Sequence, residues 1–375
     1  MVSDVAGSRL LRWARREWLL LAASALAAAL ALCDPQPLAR QVVWLRWPTL
    51  GALAGLMAAT QAIQDSGLVQ RAAWALARRS HGLRTLGLTL VAASALLSML
   101  LTNDVGLLLM VPLTLALGER TQLPVPRMVV LEALAVNAGS SLSPIGNPQN
   151  LLLWQHARLS FAGFASAMLP AAATMLALLF GLSALWLPRG PLAAGDSMEE
   201  APLAPRSGLL GVAGLVAMVS LIQLDHPWLG AIALLLALAL CAPASLRRLD
   251  WLLWSSFMAI FLALGHLAAL PQLGALLGHI DFRDPLLVYL GGIVAAQAIS
   301  NVPATVLLID HVRDPIALAV AVNVGGFGLA TGSLANLIAL RLARLPHGLA
   351  RLHAASIPFL LVAAPLAYAA WRLFS

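Results

Sequence analysis

The chain has 375 residues, of which 61% are hydrophobic and only 10% are charged, and its mean hydropathy is +0.87. Soluble globular domains carry about 25% charged residues, so this composition excludes a soluble globule and indicates a polytopic integral membrane protein. All 23 basic residues are Arg, which excludes lysine chemistry such as a Schiff base or a P-loop lysine.

Apolar stretches long enough to cross a bilayer recur along the chain, since a spanning helix needs about 20 such residues. We predict crossings at residues 18–33, 43–63, 128–153, 162–187, 208–224, 228–246, 250–270, 316–341 and 354–374. The remaining apolar pieces, 85–118 and 285–311, are interrupted at their middles by the sequences TND and SNVP. We interpret them as re-entrant hairpins with polar tips, and the alternative is that each arm is a thin complete crossing.

The placement of arginine predicts the orientation of these segments, because cytoplasmic loops of membrane proteins are enriched in positive charge. With the N-terminus inside, most arginines fall in predicted cytoplasmic loops, and those that fall outside are Arg40, Arg46, Arg158, Arg283, Arg313 and Arg372. This layout opens the first hairpin to the cytoplasm and the second to the opposite face. The basic excess is therefore explained by membrane topology, and we expect no nucleic-acid partner.

A polar run rich in Gly and Pro at residues 137–150 has a counterpart at residues 323–336. Aligned without a gap, the two runs share Asn137 with Asn323, Gly139 with Gly325, Gly146 with Gly332, and Asn150 with Asn336. Backbone that is broken at membrane depth is tolerated where it is buried in protein or lines a cavity. Two broken helices and two hairpins, one of each per half, therefore predict one binding site between inverted repeats, as is typical of secondary transporters.

The predicted fold class is an all-α polytopic membrane protein with an inverted-topology repeat, two re-entrant hairpins and two broken transmembrane helices. Residues 1–187 form the N-terminal half, residues 188–207 a solvated cytoplasmic linker, and residues 208–375 the C-terminal half. An Arg-Arg pair before the first apolar run imitates an export signal, but more membrane sequence follows, which favours an uncleaved first span. We expect the protein in a bacterial inner membrane.

Each polar kernel also has the residue types of a helix N-terminus. Ser, Thr, Asn and Asp are the preferred capping residues, and Pro is tolerated at the first helical position. The predicted caps are Asn147 before Pro148, Ser333, one of Thr102, Asn103 and Asp104, and Asn301 with Pro303. Four helix N-termini would then converge, each with free N–H groups and about half a positive charge. Such a site attracts anions without an arginine.

The candidate substrate- or ion-binding residues belong to these four kernels. They are Thr102, Asn103, Asp104, Asn137, Ser140, Ser143, Gly146, Asn147, Asn150, Ser300, Asn301, Asn323, Thr331, Ser333 and Asn336. If Na⁺ is bound, we expect it near Asn103, Asp104, Asn137, Asn301 and Asn323. Ser, Thr, Asn and Gly also join transmembrane helices by packing. The occurrence of the same kernel in both halves favours a binding site over packing alone.

Asp104 is the most informative single residue, because a charge at membrane depth is costly and usually functional. Its carboxylate could bind Na⁺ or carry a proton, and the alternative role is a helix cap. Its counterpart at the second tip is Val302, so any cation chemistry is asymmetric. Glu132 is placed about one turn into its span, where it either snorkels to the interface or takes part in coupling. We interpret His266 as a packing histidine.

The chain resembles the ion transporter superfamily, which holds arsenite permeases, citrate transporters, NhaD-type sodium/proton antiporters and divalent-anion/sodium symporters. The resemblance covers both halves and is strongest at LTNDVGLLLMVP, SSLSPIGNPQN, ISNVPA and NVGG…TGSLAN. In the dicarboxylate symporters each hairpin tip carries Ser-Asn-Thr. By position, this implies substrate contacts at Thr102, Asn103 and Asp104, and at Ser300, Asn301 and Val302. Because the third positions are Asp104 and Val302, the tips look more like those of the arsenite-permease and NhaD branch.

The sequence therefore predicts a secondary active transporter of a small anion or oxyacid, such as a carboxylate or arsenite, with H⁺ or Na⁺ as coupling ion and no other cofactor. The alternative is a Na⁺/H⁺ antiporter in which Asp104 binds the cation. An intramembrane enzyme is disfavoured, because HExxH, GxGD and GxSG-type motifs are missing. A passive channel is disfavoured by the lack of charge rings. The expected partners are the substrate and the lipid bilayer, with a homodimer left open.

Overall fold

The computed structural model describes residues 17–191, 202–278 and 280–374, and these are folded almost entirely as helices. In chain order they are α1 (Trp18–Cys33), α2 (Leu38–Trp44), α3 (Trp47–Asp65), α4 (Leu68–Arg78), α5 (Leu83–Leu100), α6 (Asn103–Gly118), α7 (Val125–Ser140), α8 (Pro148–Ala157), α9 (Phe161–Trp186), α10 (Pro205–Gln223), α11 (Pro227–Cys241), α12 (Pro243–Arg247), α13 (Trp251–Ala269), α14 (Pro271–Gly278), α15 (Pro285–Ile299), α16 (Asn301–Leu308), α17 (Pro315–Val324), α18 (Leu334–Ala343) and α19 (Gly348–Phe374). Half of the predicted linker, residues 192–201, lies outside the described residues.

Within the described residues, five helices are long and apolar enough to cross a membrane, namely α5, α9, α10, α13 and α19. A sixth span results if α2 and α3, which meet at a bend of 42°, are counted as one. The predicted crossings at 128–153 and 316–341 are each divided into two shorter helices, α7 with α8 and α17 with α18. The Gly- and Pro-rich kernels cause this division, because Gly and Pro are poor residues for a helix interior.

The two predicted hairpins are confirmed as helix pairs, α5 with α6 and α15 with α16, whose tips are at Thr102 and Ser300. The arms are unequal. α5 has 18 residues and could cross the bilayer, whereas α16 has only 8. The order hairpin, broken helix, long helix therefore occurs twice, as α5 to α9 and as α15 to α19.

The short helix α4 does not appear among the predicted segments. Its sequence LVQRAAWALAR places polar residues among apolar ones, so it contains no uninterrupted apolar run. It follows α3 and packs against α5 and α6. An amphipathic pattern of this kind is typical of a helix with one face on protein and one face in a more polar environment.

The two broken helices form the core of the molecule. Every residue of α7 from Met128 to Ser140 is buried, and so is every residue of α17 from Ala317 to Val324. α7 packs against both hairpin arms of its own half and against α9, α18 and α19, and α17 packs against α15, α16, α8, α9 and α19. A helix that is buried on all sides holds its polar side chains inside protein, so those side chains must find partners there.

The first hairpin contacts the first broken helix at a point where only glycine fits. A Cβ atom on Gly139 would lie 2.1 Å from the carbonyl oxygen of Ala95 on α5. We expect Gly139→Ala to destabilise the protein by about 1–3 kcal/mol, because a backbone oxygen can move away only if α5 shifts. Gly181→Ala on α9 is the matched control, since a Cβ there meets nothing within 4 Å. Thermal unfolding in detergent tests this prediction. Equal melting temperatures for Gly139→Ala and Gly181→Ala would contradict it and would show that α5 moves to accommodate the added methyl group.

The orientation in the membrane stays a prediction, and cysteine labelling can test it. Arg283, between α14 and α15, and Glu119, after α6, are both exposed, and they are predicted on opposite faces. In a variant with Cys33 and Cys241 replaced by Ser, a membrane-impermeant maleimide applied to intact cells should label Arg283→Cys. It should label Glu119→Cys only after permeabilisation. Equal labelling of both in intact cells would contradict the layout.

Candidate functional site

Four asparagines join the two broken helices through a pair of equivalent hydrogen bonds. Asn137 Nδ2 donates to Asn336 Oδ1 at 2.9 Å, and Asn323 Nδ2 donates to Asn150 Oδ1 at 2.6 Å. Asn137 is the repeat counterpart of Asn323, and Asn150 is the counterpart of Asn336. Exchanging the two halves therefore converts one bond into the other. In each half, the first segment of the broken helix is therefore bonded to the second segment of the opposite half.

A second pair of bonds follows the same symmetry. Asn147 Nδ2 donates to Asn323 Oδ1 at 3.0 Å, and the Ser333 hydroxyl donates to Asn137 Oδ1 at 2.9 Å. Asn147 also caps α8, as predicted, because its Oδ1 accepts from the backbone N–H of Asn150 at 2.8 Å. The predicted capping of α18 by the Ser333 side chain is wrong. Its hydroxyl proton is directed to Asn137 instead.

The unwound segment between α7 and α8 is held together by one side chain. Asn150 Nδ2 donates hydrogen bonds of 3.0 to 3.1 Å to the backbone carbonyl oxygens of Ser140, Ser141 and Ser143. Carbonyl groups at membrane depth must be satisfied within the protein, and this amide does so for the first break. Asn150 is fully buried, and both the Nδ2 and the Oδ1 atom of its side chain form hydrogen bonds within the protein.

The matching segment between α17 and α18 depends on side chains from other helices. Gln297 on α15 donates to the carbonyl oxygens of Gly325 and Phe327, both at 2.6 Å, and accepts from the backbone N–H of Leu329 at 2.7 Å. His353 on α19 accepts from the N–H of Ala330 at 3.0 Å. Asn336 Nδ2 also donates to the carbonyl oxygen of Gly326 at 2.9 Å, which is the counterpart of the bond from Asn150 to Ser140. The two breaks therefore share this bond and differ in their other supports.

The hairpin tips place two equivalent amide groups at the start of α6 and α16. Asn103 Oδ1 accepts from the backbone N–H of Asp104, and Asn301 Oδ1 accepts from that of Val302, both at 2.9 Å. Because the amide atom that accepts from a backbone N–H must be the oxygen, these bonds fix which side-chain atom is Oδ1 and which is Nδ2. Neither Nδ2 group has a hydrogen-bond partner among the described residues, and both side chains line the cavity described below.

Thr102, and not Asp104, caps α6. The Thr102 hydroxyl accepts from the backbone N–H of Val105 at 3.3 Å. The half-buried Asp104 carboxylate makes no hydrogen bond within the described part of the chain. The alternative interpretation of Asp104 as the cap is therefore wrong, and its carboxylate remains available at the cavity.

The second tip is strained. Ser300 has φ 77° and ψ 155°, a region that is almost restricted to glycine, and its side chain is buried. Such a conformation costs about 1–3 kcal/mol and persists only where the surrounding structure imposes it. Residues of this kind cluster at ligand sites, and Ser300 precedes the cavity-lining Asn301.

A cavity of about 510 Å³ lies where these elements meet. Its wall includes the first residues of both returning hairpin arms and the starts of both second helix segments, namely Asn103, Asp104, Pro148, Gln149, Asn301, Val302, Ser333 and Leu334. Four helices, α6, α8, α16 and α18, therefore begin at this one cavity. The wall also includes Asp250, Arg341 and several apolar residues. That the cavity binds a ligand stays a prediction.

The remaining predicted site residues do not line the cavity. Thr102 and Ser300 form the hairpin tips, next to the cavity-lining Asn103 and Asn301. Another group lies behind the cavity wall in the buried networks: Asn137, Ser140, Ser143, Gly146, Asn147, Asn150, Asn323 and Asn336. Thr331 lies apart from both, because it is exposed and donates to the carbonyl oxygen of Gln297 at 3.0 Å. We therefore expect the residues behind the wall to position the cavity, and those in the wall to contact a ligand.

Gln149 is a cavity residue that the repeat comparison missed. Its side chain is buried in the wall, and its Oε1 atom has no hydrogen-bond partner among the described residues. The comparison selected residues shared by the two kernels, and the counterpart of Gln149 is Ala335. Its place in the first turn of α8, directly after the capping sequence, was the available signal.

The expectation that Glu132 snorkels to the membrane interface is wrong. α7 begins at Val125, so Glu132 lies two turns inside it and is 0% exposed. Thr114 on α6 donates a hydrogen bond to Oε1 of Glu132. A second carboxyl group is therefore buried among the core helices, outside the cavity wall.

Comparison with known proteins shows that the sequence of this chain is similar to those of transporters. The CitMHS family, described as citrate transporter, matches residues 10–315. Inner membrane protein YbiR of Escherichia coli (strain K12) is 39% identical over 322 residues, which cover 86% of this chain and 87% of that protein. Silicon efflux transporter LSI3 of Oryza sativa subsp. japonica is 35% identical over 124 residues, 33% of this chain and 26% of that protein. The YdaH transporter structure from Alcanivorax borkumensis matches 95% of both chains with 16% identity and a TM-score of 0.49.

Proposed function

The chain belongs to the CitMHS citrate transporter family and is an integral membrane transport protein, not an enzyme, and from this premise we propose that it is a secondary active transporter of a small anion or oxyacid. A gradient of H⁺ or Na⁺ drives the transport. We place the protein in the inner membrane, because its relative YbiR is described as an inner membrane protein. The family membership agrees with the resemblance to the ion transporter superfamily found in the sequence.

The observation that carries this proposal is the convergence of hydrogen-bond donors on the cavity. Four helices begin there, and the aligned peptide dipoles give each N-terminus about half a positive charge. The Nδ2 groups of Asn103 and Asn301 add two hydrogen-bond donors in equivalent positions. Such donors match the acceptor oxygens of a carboxylate or an oxyacid.

Asp104 supplies the reason for coupling to a cation. It lines the same cavity, so an ionised Asp104 repels an anionic substrate at short range. A proton or Na⁺ bound at Asp104 removes this repulsion and raises the affinity for the anion. By linkage, the bound anion raises the affinity for the cation by the same factor. The cation and the substrate would therefore move together.

Uptake into liposomes tests the proposal. Purified protein is reconstituted, and accumulation of citrate, arsenite, silicic acid and sulfate is measured under imposed Na⁺ or pH gradients. We expect at least one of them to accumulate above its external concentration, and to stop doing so when an ionophore dissipates the gradient. Protein-free liposomes are the control. If none accumulates and the protein instead exchanges Na⁺ for H⁺, the antiporter in which Asp104 binds only the cation replaces this proposal.

A further inference from the structure

Glu132 is a carboxyl group that is shielded from solvent, and no charged side chain among the described residues is bonded to it. Its side chain is 0% exposed, and its hydrogen bond comes from the hydroxyl of Thr114, which is also 0% exposed. The second oxygen, Oε2, has no hydrogen-bond partner among the described residues. The group therefore has one neutral donor and, in the described part of the chain, no positive charge bonded to it.

The helices packed against α7 offer no cation to Glu132. Besides Glu132, the charged or titratable side chains on α7 and on the neighbouring α5, α6, α18 and α19 are Arg84, Asp104, Arg127, Arg341, Arg351, His353, Tyr368 and Arg372. None of them forms a hydrogen bond or ion pair with Glu132. The neighbouring α9 and α17 carry no titratable residue. Arg84 and Arg127, the arginines on α5 and α7, donate to the carbonyl oxygens of Leu187 and Trp186.

An ionised carboxylate in this position would be very costly. Burial of an unpaired charge in a medium of low dielectric constant costs far more than burial of the neutral acid, and one hydroxyl donor does not compensate for it. We propose that Glu132, with Thr114, forms a proton-binding site inside the helix bundle, separate from the cavity, and that it holds a proton in the conformation seen here.

Packing alone does not require a carboxyl group at this point. The repeat counterpart of Glu132 is Leu318, which is also 0% exposed. In the register that aligns the two hairpin tips, the counterpart of Thr114 is Val312, which is buried as well. The second half therefore fills the equivalent space with apolar side chains. The polar pair occurs only in the half that also carries Asp104.

One helix connects the proton-binding site to the cavity. α6 begins at the cavity with Asn103 and Asp104, and Thr114 lies about 15 Å further along the same helix at 1.5 Å per residue. A shift of α6 against α7 would break the bond between Thr114 and Glu132 and admit water to the carboxyl group. The proton could then leave. This consequence rests on the proposed function, and it makes H⁺ the coupling ion.

Infrared spectroscopy of the purified protein in lipid tests the site without any substrate. At neutral pH we expect a C=O stretching band of a protonated carboxylic acid that Glu132→Gln lacks. The exposed Glu119→Gln is the matched control and should retain the band, and Asp104→Asn separates any contribution from the cavity. A wild-type spectrum without the band, or a band that survives unchanged in Glu132→Gln, would overturn the proposal.

Two further measurements distinguish a proton-binding site from a permanently neutral structural group. Raising the pH should convert the band to carboxylate absorption while the protein stays folded, whereas a band that persists until unfolding would count against the site. Thr114→Val should shift the band, because the hydrogen bond to the carboxyl group is lost. If Glu132→Gln does not fold, Glu132→Leu copies the apolar counterpart Leu318 and serves in its place. Because no transported molecule is used, these results are independent of the uptake assay.

Discussion

Asp104→Asn is expected to reduce gradient-driven uptake about 5- to 150-fold while leaving the fold intact. This range corresponds to typical coupling free energies of about 1–3 kcal/mol between two bound ligands. The substitution keeps the size of the side chain and removes the group that binds a cation at the cavity. It does not disturb the cap of α6, which is Thr102. The cost in stability should therefore be limited to the interaction with the helix dipole, about 0.3–1 kcal/mol.

The experiment compares initial rates of uptake in liposomes under imposed Na⁺ and pH gradients, with protein amount and orientation matched. Asp250→Asn is the control, because Asp250 lines the same cavity but caps α13 from an exposed position, and Asn is an equally good cap. Only Asp104→Asn should lose the dependence on the gradient. Undiminished gradient-driven uptake by Asp104→Asn would remove its carboxylate from the coupling mechanism.

Asn323→Ala should destabilise the protein strongly, because it breaks two bonds between the halves at once. Asn147 Nδ2 loses its acceptor, and Asn150 Oδ1 loses its donor, in a region that is buried throughout. Each unsatisfied buried group costs about 1–3 kcal/mol, so we expect about 2–6 kcal/mol in total. Asn137→Ala should cost a similar amount, since Asn336 and Ser333 lose their partners in the same way.

Thermal unfolding in detergent measures these effects, and uptake in liposomes should fall with them. Ser220→Ala on α10 is the control, because its exposed hydroxyl bonds only within its own helix, and such changes lie within about ±0.5 kcal/mol. In a double-mutant cycle, Asn137 and Asn336 should show a coupling energy of about 0.5–3 kcal/mol. Additive effects of the two substitutions would show that the bond between them contributes nothing.

The four kernels illustrate what local chemistry determines. All seven asparagines of the chain lie in them, beside the Gly and Pro residues that interrupt apolar sequence. These residue types end helices, cap helices and tolerate broken backbone by their own local properties. For that reason the hairpins, the broken helices and the cap formed by Asn147 could all be predicted. The class of membrane protein followed from composition, because a chain so poor in charge cannot stay in water.

The partners of these residues were decided only by the tertiary structure. Alignment of the repeats shows that Asn137 corresponds to Asn323, but it does not show that Asn137 bonds to Asn336, 199 positions along the chain. The wrong expectation for Glu132 has the same origin, since α7 is enclosed by helices from both halves and the side chain has no path to the interface. The position of Gln149 in the cavity wall and the hydrogen bonds from Gln297 to the second break were also decided only by the tertiary structure. Local propensity depends on neighbouring residues, whereas burial and hydrogen-bond partners depend on which distant helices the fold brings into contact.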